Sequence, residues 1–258
     1  MDQIIPDMPD GVYFRPYVRY NAATRRYVLW YNGYDDWKGE TDWDAGDGPT
    51  PGWYGVATAV RPEGPYGIVH PRSNIAEGVG DLNLFVDDDE AGYIIYTRIK
   101  ENGGWRGFQM RTQRLSEDFL SATGERSAIL DSGVEAPALF KRDGFYYALF
   151  GECCCFCPRG AAVRVYRSRS PLGPYERRGD INPRDARGGY AIAAQTTDVA
   201  SLRGAGGDVR IWMGDLWESA PDGVKGHDLQ YWGAPLRFTA DGDIAPMEYA
   251  REWSLEMG

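Results

Sequence analysis

Gly133-Val-Glu-Ala-Pro-Ala-Leu-Phe-Lys-Arg-Asp-Gly-Phe-Tyr-Tyr-Ala-Leu-Phe150 reads as a β-hairpin. An apolar run, Ala136 to Phe140, meets a charged turn, Lys141-Arg-Asp-Gly144, and an aromatic run, Phe145 to Phe150, follows. Apolar runs of strand length bounded by a Gly-bearing polar turn pair with each other more readily than they coil. One carboxylate, Glu135, stands at the start of the first strand, beside Ala136 and Pro137. Packing alone gives an acid little reason to be there.

The same grammar returns three times. Phe14 to Tyr20 and Tyr27 to Tyr31 flank the turn Asn21-Ala-Ala-Thr24. Asp81 to Val86 and Tyr93 to Tyr96 flank Asp87-Asp-Asp-Glu-Ala-Gly92. Gln195 to Ala200 and Val209 to Met213 flank a Gly-rich turn, Arg203 to Gly207. A third strand is expected after each hairpin, at Tyr54 to Ala59, Phe108 to Thr112, Ala162 to Tyr166 and Gln230 to Gly233, and a weaker fourth after that. Two of the tails share wording, Glu63-Gly-Pro-Tyr66 and Leu172-Gly-Pro-Tyr175. The unit starts at Phe14, Asp81, Glu135 and Gln195 are roughly 54 to 67 residues apart, and four-stranded units repeating at about fifty residues signal a β-propeller. The expectation is therefore an all-β, single-domain propeller over residues 1–258, with four blade units at about 12–70, 78–130, 133–182 and 190–255. A two-sheet sandwich is the alternative, but its strands need not restart with one hairpin each time. Helix signals are nearly absent; Ser116-Glu-Asp-Phe-Leu120 amounts to a turn of helix at most.

Composition agrees. The chain has 258 residues, 43% apolar content, 33 Gly, 16 Pro and 14% aromatics, which suits many short strands joined by turns. A formal net charge of −10 argues against nucleic acid or an anionic membrane as a partner and is compatible with a neutral ligand such as a sugar. No run reaches the length a membrane helix needs. Met1-Asp-Gln-Ile-Ile-Pro-Asp7 has neither the basic start nor the apolar core of a signal peptide. All four cysteines crowd into Cys153-Cys-Cys-Phe-Cys157, a spacing that fits neither a disulfide framework nor a standard zinc site. A reduced strand end is the simplest account, which leans towards a reducing compartment.

Architecture then proposes a site. In a propeller the first strand of every blade lines the channel, so polar residues at matching strand starts meet at one mouth. Here these are Arg15, Asp81, Glu135 and Gln195. Two carboxylates facing one pocket can be pushed apart in protonation, one acid and one anion, as glycoside hydrolysis requires. The plain reading makes each a capping or turn residue; four in register favour a site. The acidic stretch from Asp35 to Asp47 is long for a loop and offers Trp37 and Trp43 to a glycan, or else is a solvated surface loop. His70 and His227 are expected in loops, and Asp87-Asp-Asp-Glu90 lacks the further ligands of a calcium loop. No cofactor or metal is expected. Phosphate-binding glycine loops and nucleophile elbows are missing from the sequence.

Phe14-Arg-Pro-Tyr-Val-Arg-Tyr-Asn21, Gly80-Asp-Leu-Asn-Leu-Phe-Val-Asp-Asp-Asp89 and the opening hairpin together resemble glycoside hydrolase family 43. So do Ser170 to Tyr175, Gln195-Thr196 and Met213-Gly-Asp-Leu-Trp217, with the branch of exo-acting β-1,3-galactanases nearest in wording. The resemblance runs in order from about Tyr13 to Leu255. It implies a five-bladed propeller that cleaves glycosidic bonds with inversion. It makes Glu135 the general acid, Asp81 the carboxylate that sets that acid's pKa and orientation, and Gln195 the residue near the attacking water. Trp217 and Asp215 would border the sugar subsite, with Arg15 beside it. Two departures accompany it. Phe14 stands where the branch commonly has a glutamate, and the thirteen residues before it hold no counterpart of the family's first blade. Either the start is truncated, which would hide any leader, or four blades close differently. The expected substrate is a galactan-, xylan- or arabinan-like glycan met by a monomer. A glycan-binding propeller without chemistry and a purely structural propeller are the rival expectations.

Overall fold

The computed structural model describes residues 4–34, 52–75, 78–100, 104–152, 158–224 and 227–256. Runs rich in Val, Ile, Tyr, Phe and Trp become strands because branched and aromatic side chains suit a pleated, half-buried surface. Four antiparallel sheets result among the described residues. The first contains β1 (Val12–Asn21), β2 (Arg26–Tyr34), β3 (Trp53–Ala59) and β4 (Gly67–His70). The second contains β5 (Val79–Val86), β6 (Gly92–Ile99), β7 (Phe108–Leu115) and β8 (Ala122–Arg126). The third contains β9 (Val134–Arg142), β10 (Phe145–Glu152), β11 (Arg164–Ser168) and β12 (Glu176–Asp180). The last contains β13 (Ala194–Gly204), β14 (Gly207–Leu216) and β15 (Leu229–Pro235). In each sheet spatial order follows chain order, the up-and-down meander of a propeller blade.

Every hairpin expected from the sequence forms. The expectation of a fourth strand fails in the last sheet, which is three-stranded among the described residues. There the chain after Pro235 forms only an isolated bridge, Phe238 to Ile244. The third strand of the third sheet also starts later than expected, at Arg164, because residues 158–161 form a short 3-10 turn ahead of it. His70 is a further correction: it ends β4, paired with Val56, rather than lying in a loop. His227 does lie in a loop, with its Nδ1 2.8 Å from Asp222 Oδ2. Ser116 to Leu120 is a turn in which Ser116 Oγ donates to Asp118 Oδ1. In both Gly-Pro-Tyr tails the glycine has positive φ and the Gly–Pro bond is cis.

Contacts divide the chain into two compact units. One comprises Met1–Glu135 with Arg169–Pro174, and the other Ala136–Ser168 with Tyr175–Gly258. In the first, Trp30, Tyr54, Leu82, Ile94, Tyr96 and Phe119 form one buried cluster drawn from both of its sheets. Trp30 Nε1 donates to the Phe119 carbonyl at 2.8 Å, so its polar edge is satisfied inside that core. In the second, Leu149, Val165, Ala194, Trp212 and Ile244 share a core, and Trp212 Nε1 donates to Thr196 Oγ1 at 3.1 Å. Burial of a large side chain contributes about 1.5–3 kcal/mol, so these clusters hold adjacent sheets face to face.

Candidate active site

The four strand starts singled out from sequence share an irregularity that the sequence reading missed. Pairing of β1 with β2 slips between Phe14 and Tyr17, that of β5 with β6 between Val79 and Leu82, and that of β13 with β14 between Thr196 and Asp198. In β9, Ala136 has φ of 57°, outside any regular strand. A bulge bends its strand and re-aims a side chain, and bulges recur beside active sites. The readable signal was proline. Pro16 and Pro137 carry no N–H, so neither first strand can keep a complete ladder where they stand.

In the first unit the structure brings Arg15 and Asp81 together. Arg15 Nε lies 3.4 Å from Asp81 Oδ1, and only 12% and 17% of the two side chains are exposed. Arg15 has φ of 47°, a state uncommon outside glycine. Opposite the β5 bulge, Gly80 and Asp81 face the single residue Thr97, since Val79 pairs with Arg98 and Leu82 with Tyr96. The main-chain carbonyls that precede Asp81 find other donors. Tyr34 Oη donates to Val79 O at 3.3 Å, and Tyr54 Oη donates to Gly80 O at 2.9 Å. Burial, then Tyr96, Tyr34 and the Asp81 carboxylate, push the Tyr54 hydroxyl well above its ordinary pKa, so it remains a donor. Phe14 packs edge-on against Tyr34, ring centroids 5.9 Å apart.

Glu135 is buried near the start of β9, 5% exposed. It is the last residue of the first unit's long segment. It directly precedes the left-handed Ala136.

In the second unit Gln195 is buried, 3% exposed, and faces Asp215 across the β13–β14 ladder. Trp217 is half-buried just beyond β14, its main-chain N–H donating to Ala193 O at 2.8 Å. Asp215 and Trp217 therefore stand at the same end of the sheet as Gln195. Gly214 faces Thr196, and a Cβ there would lie 2.7 Å from the Gln195 carbonyl oxygen and 2.7 Å from the Trp212 ring. Only glycine lets the strands approach this closely. Asn182, buried, fixes the approach to β13: its Nδ2 donates to Ala161 O and Ile192 O at 2.7 and 2.8 Å, and its Oδ1 accepts from Ile192 N at 3.1 Å.

Trp37, Trp43 and the cysteines Cys153, Cys154, Cys155 and Cys157 lie outside the described residues. Among the described residues no group of three or more His, Cys, Asp or Glu is arranged to hold a metal ion.

A family model, that of the glycosyl hydrolases family 43, matches residues 19–199, from β1 into β13. A β-D-galactofuranosidase, xynD, of Aspergillus niger is 32% identical over 130 residues, 47% of this chain. The chain spans only 35% of that protein's length. A solved family 43 β-1,3-galactosidase with galactodeoxynojirimycin superposes with a TM-score of 0.74 at 22% identity, covering 94% of this chain and 77% of that one. An exo-β-1,3-galactanase from Clostridium thermocellum gives a TM-score of 0.71 at 22% identity over 94% of this chain and 53% of its own. These likenesses establish the fold expected from sequence: an all-β propeller of the family 43 type, four of whose blades are present among the described residues.

Proposed function

We propose, from the premise that the chain belongs to glycosyl hydrolase family 43, that it cleaves a glycosidic bond with inversion at the end of a glycan chain. Glu135 is the general acid that protonates the leaving oxygen. Asp81 holds that acid in its working state, and Gln195 orients the attacking water through its side-chain amide. Arg15 steadies Asp81 and borders the sugar, while Asp215 and Trp217 offer a carboxylate and an aromatic face to the ring. Inversion asks for enough space between acid and water-activating group to admit one water. Glu135 is buried, 5% exposed, so it would meet the leaving oxygen away from bulk water.

One observation carries the reading. Asp81 lies in a bulge, Gln195 stands one residue before the slip in β13, and Glu135 precedes a left-handed residue, so each stands at or next to an irregularity near the start of its blade's first strand. A capping role alone gives no reason for all three to stand beside an irregularity near the start of a first strand.

The substrate class follows from the company the chain keeps. A β-galactan-like or a xylan- or arabinan-like glycan is the reading the relatives support, since those above 30% identity are named a β-D-galactofuranosidase and, in Butyrivibrio fibrisolvens, a xylosidase/arabinosidase.

The test compares the protein with Glu135→Gln on β-1,3-galactan and a panel of aryl glycosides, following the anomer released by NMR. General acid catalysis contributes about a hundred- to ten-thousandfold, and a loss of that size with an inverted product is the expected result. Equal, null rates from both proteins with galactan binding retained would replace the enzyme by a glycan-binding propeller.

A further inference from the structure

We propose that Tyr54, seconded by Tyr34, is a positioning residue for Asp81, acting through the main chain of the β5 bulge. The catalytic consequence rests on the glycosidase reading above; the holding role does not.

A bulge leaves backbone groups outside the ladder, and a buried carbonyl without a partner is costly. Here the lapse in pairing covers Gly80 and Asp81, and the carbonyls of Val79 and Gly80 accept from two tyrosine hydroxyls. The tyrosines come from β2 and β3, in the neighbouring sheet of the same unit. Their bonds are sequence-distant, spanning 45 and 26 residues, so they tie one blade's bulge to another blade's interior. The peptide group between Gly80 and Asp81 is thereby fixed next to the carboxylate it carries. Arg15, from the bulge in β1, fixes the carboxylate itself. Asp81 is thus held at both ends by the first sheet.

Tyr54 is the stronger of the two holds. It is fully buried, its bond is the shorter, and no water can replace it at Gly80 O without opening the core. Around Asp81, Arg15 of β1 supplies the charge, Tyr34 of β2 and Tyr54 of β3 supply hydroxyls, and Tyr96 of β6 packs edge-on to Tyr54 at 6.2 Å.

Tyr54→Phe removes the hydroxyl and keeps the ring. Tyr96→Phe is the matched control: it removes an equally buried hydroxyl that donates to Gln113 Oε1 at 3.1 Å. Hydrogen exchange at the amides of residues 79–82 reads the holding role directly, and Tyr54→Phe is expected to speed it by about tenfold while Tyr96→Phe leaves it unchanged. Hydrolysis of aryl β-galactosides with graded leaving groups reads the consequence. A small misplacement of a catalytic group can cost up to about a hundredfold. The expected loss in kcat is therefore large for poor leaving groups, which need the acid, and small for dinitrophenolate, with KM little changed. Exchange that matches the Tyr96→Phe control would overturn the holding role whatever the activity. A kcat loss independent of the leaving group would overturn the link to the acid. Faster exchange in a protein whose wild type turns nothing over would leave the holding role standing and remove the glycosidase reading. If Tyr54→Phe does not fold, Tyr34→Phe reads the same amides and the same substrates.

Discussion

Arg15 and Ala136 occupy the same left-handed backbone state, at φ of 47° and 57°, and each stands immediately before a proline. Phe14 is therefore the backbone counterpart of Glu135, one blade presenting an aromatic ring where another presents an acid. A residue before proline is already restricted, and positive φ on a side-chain-bearing residue adds strain of about 1–3 kcal/mol. The fold retains this twice at strand starts where a regular β conformation would cost less. The irregularity turns the preceding side chain out of the pleat's alternation.

Position 136 tests this strain. Ala136→Gly should change stability by no more than about 1 kcal/mol, since relief of positive φ offsets the loss of a buried methyl. Ala136→Val, with its branched Cβ in the same state, should cost more than about 2 kcal/mol. Urea denaturation of the two variants provides the comparison, and equal costs would argue that packing, not backbone strain, governs the site.

The Arg15–Asp81 pair should couple strongly for its class. Both side chains are mostly buried, so removing one leaves the other charge poorly solvated. A double-mutant cycle with Arg15→Met and Asp81→Asn should return an interaction energy of about 1–3 kcal/mol in denaturant. A value near zero would mean that the guanidinium serves the ligand and not the carboxylate.

Asn182 holds Ile192, three residues before Gln195, with a donor and an acceptor on one amide. Asn182→Ala leaves three buried backbone groups without that partner, and each such group costs about 1–3 kcal/mol. The expected outcome is a loss of several degrees or more in Tm. On the proposed glycosidase reading, hydrolysis should fall at temperatures where the rest of the fold is still intact, because the start of β13 loosens first.

Asp243 supplies a pH dependence unrelated to the site. Arg178 donates to it through Nε at 2.7 Å and Nη2 at 2.6 Å, and Arg167 Nη1 lies 3.1 Å away. The Arg178 hydrogen bonds hold its carboxyl below the usual carboxylate range. A carboxyl depressed in the folded state stabilises fully above its unfolded pKa, near 4, and the stability is lost as pH falls through the folded value. Partial exposure limits the effect to about 1 kcal/mol. Asp243→Asn should therefore lower stability at pH 7 and make no difference well below pH 3, as measured by thermal unfolding across that range.

Much of this architecture can be read from the chain because its turns are spelled out. Lys141 to Gly144 and Asp87 to Gly92 are polar, Gly-bearing and set between apolar runs, so local chemistry alone places the hairpins. That the last sheet has three strands among the described residues is not legible in that way, because edge pairing depends on what the sheet meets in space. Nor are Tyr34 and Tyr54, which read as ordinary strand aromatics. Their partners are main-chain carbonyls far along the sequence, and a carbonyl leaves no mark on residue identity. The bulges fall between these cases. Pro16 marks the slip in β1 and Pro137 follows the left-handed residue of β9, whereas Gly80-Asp81 and Thr196-Thr197 carry no comparable signal.

Gly214 sets a limit on how this protein can vary. Any other residue there would press on the carbonyl of Gln195 and on a fully buried tryptophan at once. Neither can retreat, one being main chain and the other core. Substitutions at 214 would thus be felt first as a displaced Gln195, and lineages that tolerate them should carry compensating changes at 212. A position with no side chain of its own thus fixes how closely the two strands and the core ring can approach.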